Sequence, residues 1–142
     1  MSFAKSTART ALLPLLLLLL IAPVALIADN HTPDAPQVIA VKFHADWCGS
    51  CKKMGPVFED LTNKYDGKPI LFVELDLTNS TTRAQAELLA SALGFGDVYA
   101  ANQGTGFILL LDGKSRQKLA KLTADQNIKA MGAELVKQLE SR

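Results

Sequence analysis

The sequence predicts an α/β fold over residues 37–142, a central mixed four-stranded sheet flanked by helices in the order β-α-β-α-β-β-α. Three observations carry that reading. Short runs of apolar and β-branched residues alternate with stretches whose apolar residues recur at helical spacing. Asp-Gly and Gly stops separate these stretches. A further Asp-Gly pair joins the last two apolar runs, as in a hairpin. A length of 142 residues with 49% hydrophobic content fits one compact domain and excludes a disordered or collagen-like chain.

Ahead of the fold, Lys5 and Arg9 precede an apolar, uncharged run at residues 11–28 (ALLPLLLLLLIAPVALIA). A positive segment followed by an apolar one and a small residue, Ala28, is the arrangement of a secretory signal peptide over residues 1–28. Leu26 departs from the small residue preferred two places before a cut, so retention of the run as an uncleaved membrane anchor is the competing reading. At about 1.5 Å per residue the run spans roughly 27 Å as a helix, near the thickness of a bilayer core, although Pro14 and Pro23 would disturb it. With the positive charge on its amino side, either reading puts the body outside the cytoplasm, in the periplasm or an equivalent space. Residues 29–36 (DNHTPDAP) hold two prolines and no apolar period, and read as a linker in which His31 is solvated.

Gln37 to Phe43 (QVIAVKF) suits a strand buried on both faces. A helix is expected from near Cys48, with Met54, Val57, Phe58, Leu61 and Tyr65 on its apolar face and Pro56 as a kink. Pro69 to Asp76 (PILFVELD) reads as a second buried strand, and Thr82 with Gln85 as a capping box opening a helix that ends at Leu93 before Gly94. Tyr99 to Gln103 reads as loop. Phe107 to Leu111 and Gln117 to Leu122 form an antiparallel hairpin around a tight turn at Asp112-Gly113. Thr123 and Gln126 suggest a capping box for a last helix, whose buried stripe is Ile128, Met131, Leu135 and Leu139.

Charge excludes one class of partner. The 15 basic and 14 acidic residues leave the body near neutral without a basic run, so no nucleic acid is expected. The two cysteines, Cys48 and Cys51, are too few for a multi-disulfide scaffold or a closed four-cysteine zinc site. Three residues apart at a helix start, they stand close enough to form a disulfide. The first lies at the positive end of the helix dipole, which favours a thiolate. A lone structural disulfide and half of a metal site are the other readings of the pair.

Residues 41–56 (VKFHADWCGSCKKMGP) resemble the thioredoxin superfamily. A strand precedes the motif, Trp47 stands directly before the first cysteine, a helix follows, and Pro56 falls five residues after the second. The resemblance covers about residues 37–140, with a thioredoxin fold lacking its first strand and helix. It implies thiol-disulfide oxidoreductase activity with no bound cofactor, in which Cys48 attacks a substrate disulfide and Cys51 resolves the mixed disulfide. It also implies that Trp47 shapes the surface beside Cys48. Its partners would be client protein thiols or disulfides and, for an exported reductant, a membrane thiol electron donor.

Three positions depart from the family pattern. Lys42 stands where the family carries a buried acid, the usual proton acceptor for the second cysteine. It would serve as base itself, pair with Glu74 or Asp76, or turn its ammonium to solvent. Gly106, in the Thr105-Gly106 loop expected to face the cysteines and meet substrate, replaces the family's cis-proline, so a trans peptide and a reshaped loop are expected. His44 takes an aromatic position. It is read as a packed histidine, a partner of the Cys48 thiolate, or a third ligand with Cys48 and Cys51 in the alternative function, copper or zinc binding and delivery. Asp46 reads as a solvated strand-end residue.

Overall fold

The computed structural model describes residues 35–142. The export segment and His31 lie outside them. Among the described residues no helix is long and apolar enough to cross a membrane.

Four strands, β1 (Val38–His44), β2 (Ile70–Asp76), β3 (Phe107–Asp112) and β4 (Lys118–Thr123), form one mixed sheet in the order β2-β1-β3-β4. β1 runs parallel to β2 and antiparallel to β3, and β3 and β4 make the expected antiparallel hairpin. The two inner strands carry the continuous apolar runs, and Val38–Phe43 and Phe107–Leu111 are buried throughout. β2 was expected to be buried but is an edge strand. It buries Val73 and Leu75 and exposes Glu74 between them, the alternation of a half-covered surface.

Helices α1 (Gly49–Lys64), α2 (Ser80–Ala92), α3 (Gly96–Ala100) and α4 (Ile128–Glu140) cover the two faces. On one, Ile39, Val41, Phe43, Leu75, Leu109 and Leu111 pack with Ala86 and Ala90 of α2 and with Phe95 and Tyr99. On the other, Val38, Ala40, Ile108 and Leu110 meet Met54 and Leu61 of α1 and Met131 and Leu135 of α4. Each fully buried Leu, Ile or Phe contributes about 1.5–3 kcal/mol by leaving water. The helix of residues 49–64 runs on through Pro56. Leu139 joins the core edge, whereas Ile128 at the start of α4 is exposed.

Three local expectations are corrected, each by a short polar side chain. α2 opens two residues before Thr82. Asn79 is its cap, taking the amides of Thr81 and Thr82 at 2.9 and 3.1 Å while the Thr82 hydroxyl takes the Asn79 amide at 3.0 Å. Asn is a stronger cap than Thr, and Thr82 supplies the reciprocal bond expected of Gln85. Gln126 closes a turn onto the Thr123 amide at 2.9 Å, and Asn127 caps α4 through the Ala130 amide. The β3–β4 turn is wider than a two-residue turn. Asp112 Oδ1 gathers the Lys114 and Ser115 amides, and Arg116 takes the positive φ of 63°. Gly113 serves close approach instead, because a Cβ there would overlap the Pro36 carbonyl.

The Tyr99–Gln103 stretch is partly helical. α3 has five residues, too few to show a period, and it is held by the Tyr99 hydroxyl donating to the Arg83 carbonyl at 3.1 Å. After α2 the Leu93 cap gives way to Gly94 at φ 81°, the stop expected there.

Candidate active site

The site forms where β1 ends and α1 begins. Past His44 the chain turns through Ala45, Asp46 and Trp47. That turn is braced against the loop after β2, with Leu77 N–H donating to the His44 carbonyl at 2.8 Å. Asp46 N–H donates to the Thr78 hydroxyl at 3.1 Å, and the Trp47 indole N–H to the Thr78 carbonyl at 3.0 Å. Thr78 in turn donates through its amide and hydroxyl to the Asp76 carboxylate. Those bonds, opposed by partial burial and helped by His44, hold the Asp76 carboxyl below the usual range.

Cys48 is the N-cap of α1, and its sulfur accepts the Cys51 amide at 3.2 Å. Ser capping residues use an oxygen in the same way. The Ser50 hydroxyl lies 3.2 Å from the same sulfur. Burial would raise the Cys48 thiol, but hydrogen bonds from the Cys51 thiol, the Ser50 and Thr105 hydroxyls and the Cys51 amide outweigh it and bring it from 9.0 down to about 6. Cys51 behaves in the opposite way. Burial raises it, and donating its proton to the Cys48 sulfur raises it further. Cys48 is 8% exposed and Cys51 1%. Both thiols are free, and Cys51 Sγ lies 3.8 Å from the Phe43 carbonyl oxygen.

The loop before β3 closes the other side. Gly106 donates its amide to the Phe43 carbonyl at 2.8 Å and sits at φ 85°, where glycine alone is at ease. The peptides of the described residues are trans, and the loop keeps Thr105 and Gly106 against the cysteines as expected. Beneath it, the Phe43 ring stacks on Phe107 with centroids 4.8 Å apart.

Lys42 is 5% exposed and pairs with Glu74 Oε2 at 3.1 Å, with the Phe58 ring 5.4 Å from its ammonium. The solvent-pointing reading is thereby corrected, because β1 is an inner strand and its neighbour β2 presents Glu74 in register. His44 does not join the two sulfurs. Its Nε2 lies 3.1 Å from Asp46 Oδ1 and its Nδ1 3.9 Å from Glu74 Oε1. Asp46 is therefore a partner of His44, not merely solvated. Among the described residues no group of three or more His, Cys, Asp or Glu is placed to hold a metal ion. Trp47 is 63% exposed beside Cys48, and Pro56 is exposed on α1. Sequence reasoning missed Thr78 and the direct contact of Ser50 with Cys48. A serine inside the CxxC was visible, whereas nothing in one sequence marks the loop residue that braces Trp47.

The Thioredoxin family model matches residues 28–91. The thioredoxin of Staphylococcus saprophyticus is 36% identical over 86 residues, covering 57% of this chain and 82% of that protein. Thioredoxin C-2 of Corynebacterium nephridii is 34% identical over 98 residues, covering 67% and 83%. Protein disulfide-isomerase 1 of Caenorhabditis elegans is 39% identical over 57 residues, which are 37% of this chain and only 12% of that longer protein. With the two-cysteine helix cap and mixed sheet already in place, these likenesses make the chain a member of the thioredoxin superfamily of thiol-disulfide oxidoreductases.

Proposed function

We propose that the chain is an exported thiol-disulfide oxidoreductase that serves client proteins as a reductant or electron carrier, with Cys48 attacking and Cys51 resolving. The observation that carries this is the asymmetry of the pair. Cys48, 8% exposed against 1% for Cys51, is the helix cap with a thiol lowered to about 6, and the Cys51 thiol is raised and keeps its proton. The attacking species in exchange is a thiolate, and the resolving thiol must wait. Cys48 S⁻ attacks one sulfur of a client disulfide and expels the other as a thiolate. Cys51 then gives up its proton to that leaving thiolate and attacks Cys48, releasing the second client sulfur. The client disulfide is reduced by two electrons, and Cys48 and Cys51 become a disulfide. A membrane thiol donor would reverse the last change by the same exchange.

Export is supported by Lys5 and Arg9 ahead of the apolar run at residues 11–28. An oxidising compartment supports the reductant direction, since disulfides form and persist there and electrons are what must be brought in.

The test is trapping. Cys51→Ser, mixed with insulin as client, is expected to accumulate a mixed disulfide through Cys48 that dithiothreitol releases. Full insulin reduction by Cys48→Ser would overturn the assignment. A reduction potential near about −270 mV supports the electron-donating direction, and one near about −120 mV overturns it. Protease access to the full chain in bacterial spheroplasts tests export.

A further inference from the structure

We propose that Ser50 is a positioning residue for the Cys48 thiolate, and that the lack of a side chain at residue 106 is what seats it. The Ser50 hydroxyl lies 3.2 Å from Cys48 Sγ, in the space that a Cβ on Gly106 would fill. This rests on the reading of Cys48 as the attacking sulfur.

The two residues are interlocked. A Cβ on Gly106 would overlap the Ser50 hydroxyl, stand 2.9 Å from Ser50 Cβ, and lie 3.3 Å from Cys48 Sγ. Any side chain at 106 therefore displaces the hydroxyl or moves the loop. The loop has little room to retreat, because the Gly106 amide is bonded to the Phe43 carbonyl at 2.8 Å, and Phe43 is a fully buried residue of β1. The glycine also meets the backbone demand of φ 85°. One residue thus answers two requirements, and the second of them concerns the sulfur.

A serine hydroxyl both donates and accepts, but an ionised Cys48 has no proton to give, so Ser50 must then donate. Hydrogen bonds to an ionised acceptor are about twice as strong as neutral ones. Ser50, in the first turn of α1 and facing Gly106, therefore favours the thiolate over the thiol, as the Cys51 amide does at 3.2 Å. Stabilising the reduced, ionised form makes the Cys48–Cys51 disulfide easier to reduce, and it tempers the nucleophilicity of the sulfur.

The experiment is the pH dependence of Cys48 alkylation by iodoacetamide in the reduced protein, followed with thiolate absorbance near 240 nm. In Ser50→Ala the midpoint is expected to rise by about one unit, leaving about tenfold less thiolate below it. The equilibrium with glutathione then shifts up to about tenfold towards the disulfide, about 30 mV. Gly106→Ala, if its circular dichroism shows it folded, is expected to shift the midpoint in the same direction. The double variant is expected to add little to either single one, because both remove the same bond. A midpoint in Ser50→Ala equal to that of the unaltered protein overturns the proposal whatever Gly106→Ala does. The two failures are distinguishable: unaltered protein that cannot exchange disulfides counts against the functional reading, whereas an unmoved midpoint with exchange intact counts against Ser50 alone.

Discussion

Cys48 is held from two sides by regions built on different plans. On the helix side the sulfur caps α1 through the Cys51 amide, and the preceding turn is bonded to Thr78 and Leu77. Most of those partners are backbone groups, which substitution other than by proline leaves in place. On the loop side one backbone bond, Gly106 to Phe43, positions a segment that reaches the sulfur through the Thr105 hydroxyl and against which the Ser50 hydroxyl of α1 is seated. The contrast teaches that main-chain bonds place the sulfur, whereas its ionisation is set mostly by side chains, the Cys51 thiol and the Ser50 and Thr105 hydroxyls.

Breaking the helix side at its centre is the most severe test. Cys48→Ser removes the sulfur that the cap presents, and insulin reduction is expected to fall to the uncatalysed rate in a turbidity assay. The buried pair beneath tests whether the rest of β1 matters to the sulfur or only to the fold. Glu74→Ala leaves the Lys42 ammonium buried without its partner and is expected to cost about 3 kcal/mol in urea unfolding. Lys42→Met is expected to cost about 1 kcal/mol or less, because Glu74, with 43% of its side chain exposed, regains water. Neither variant should move the Cys48 midpoint, whose hydrogen-bonding partners all lie elsewhere. A shift with Lys42→Met would join the two regions that the structure keeps apart.

The thiolate also leaves a signature in stability. Because the Cys48 thiol is lowered to about 6 in the folded protein from 9.0, the unfolded chain retains a proton between those values that the folded one has lost. The reduced protein should therefore gain stability as pH rises through that window and lose it as pH falls through about 6. Cys51, shifted upward, opposes this above its ordinary range. Unfolding of the reduced protein across pH checks the slope, and Cys48→Ser should flatten it. A similarly small effect is expected from Thr78→Val, about 1 kcal/mol for the lost hydroxyl bonds, with the Asp76 carboxyl returning towards its ordinary range in an NMR titration. The Trp47 anchor should survive, since it uses the Thr78 carbonyl.

The inner strands and the long helices could be read directly, because burial on both faces and a repeating apolar stripe both leave a periodic mark. The edge character of β2 was blurred by its leading run of Ile70, Leu71, Phe72 and Val73, although Glu74 was its signal. Helix starts were missed by a turn where Asn79 and Asn127 cap in place of Thr82 and Thr123. At the site, the cysteines, Trp47 and the Gly106 loop were found from sequence pattern. For Lys42 and His44 the sequence left several fates open, the pairing with Glu74 and a packed histidine among them. The choice depends on which strand lies beside β1, and the register that sets Glu74 opposite Lys42 exists only once the sheet has formed.

Trp47 carries a consequence of another kind. It is the single tryptophan of the chain, largely exposed, next to Cys48, and tied at its indole nitrogen to the Thr78 carbonyl. All indole fluorescence of the protein therefore originates beside the reacting sulfur, from a ring whose orientation is fixed. Disulfides quench indole emission at close range, so the protein carries its own label-free optical reporter, dim when the pair is oxidised and bright when it is reduced.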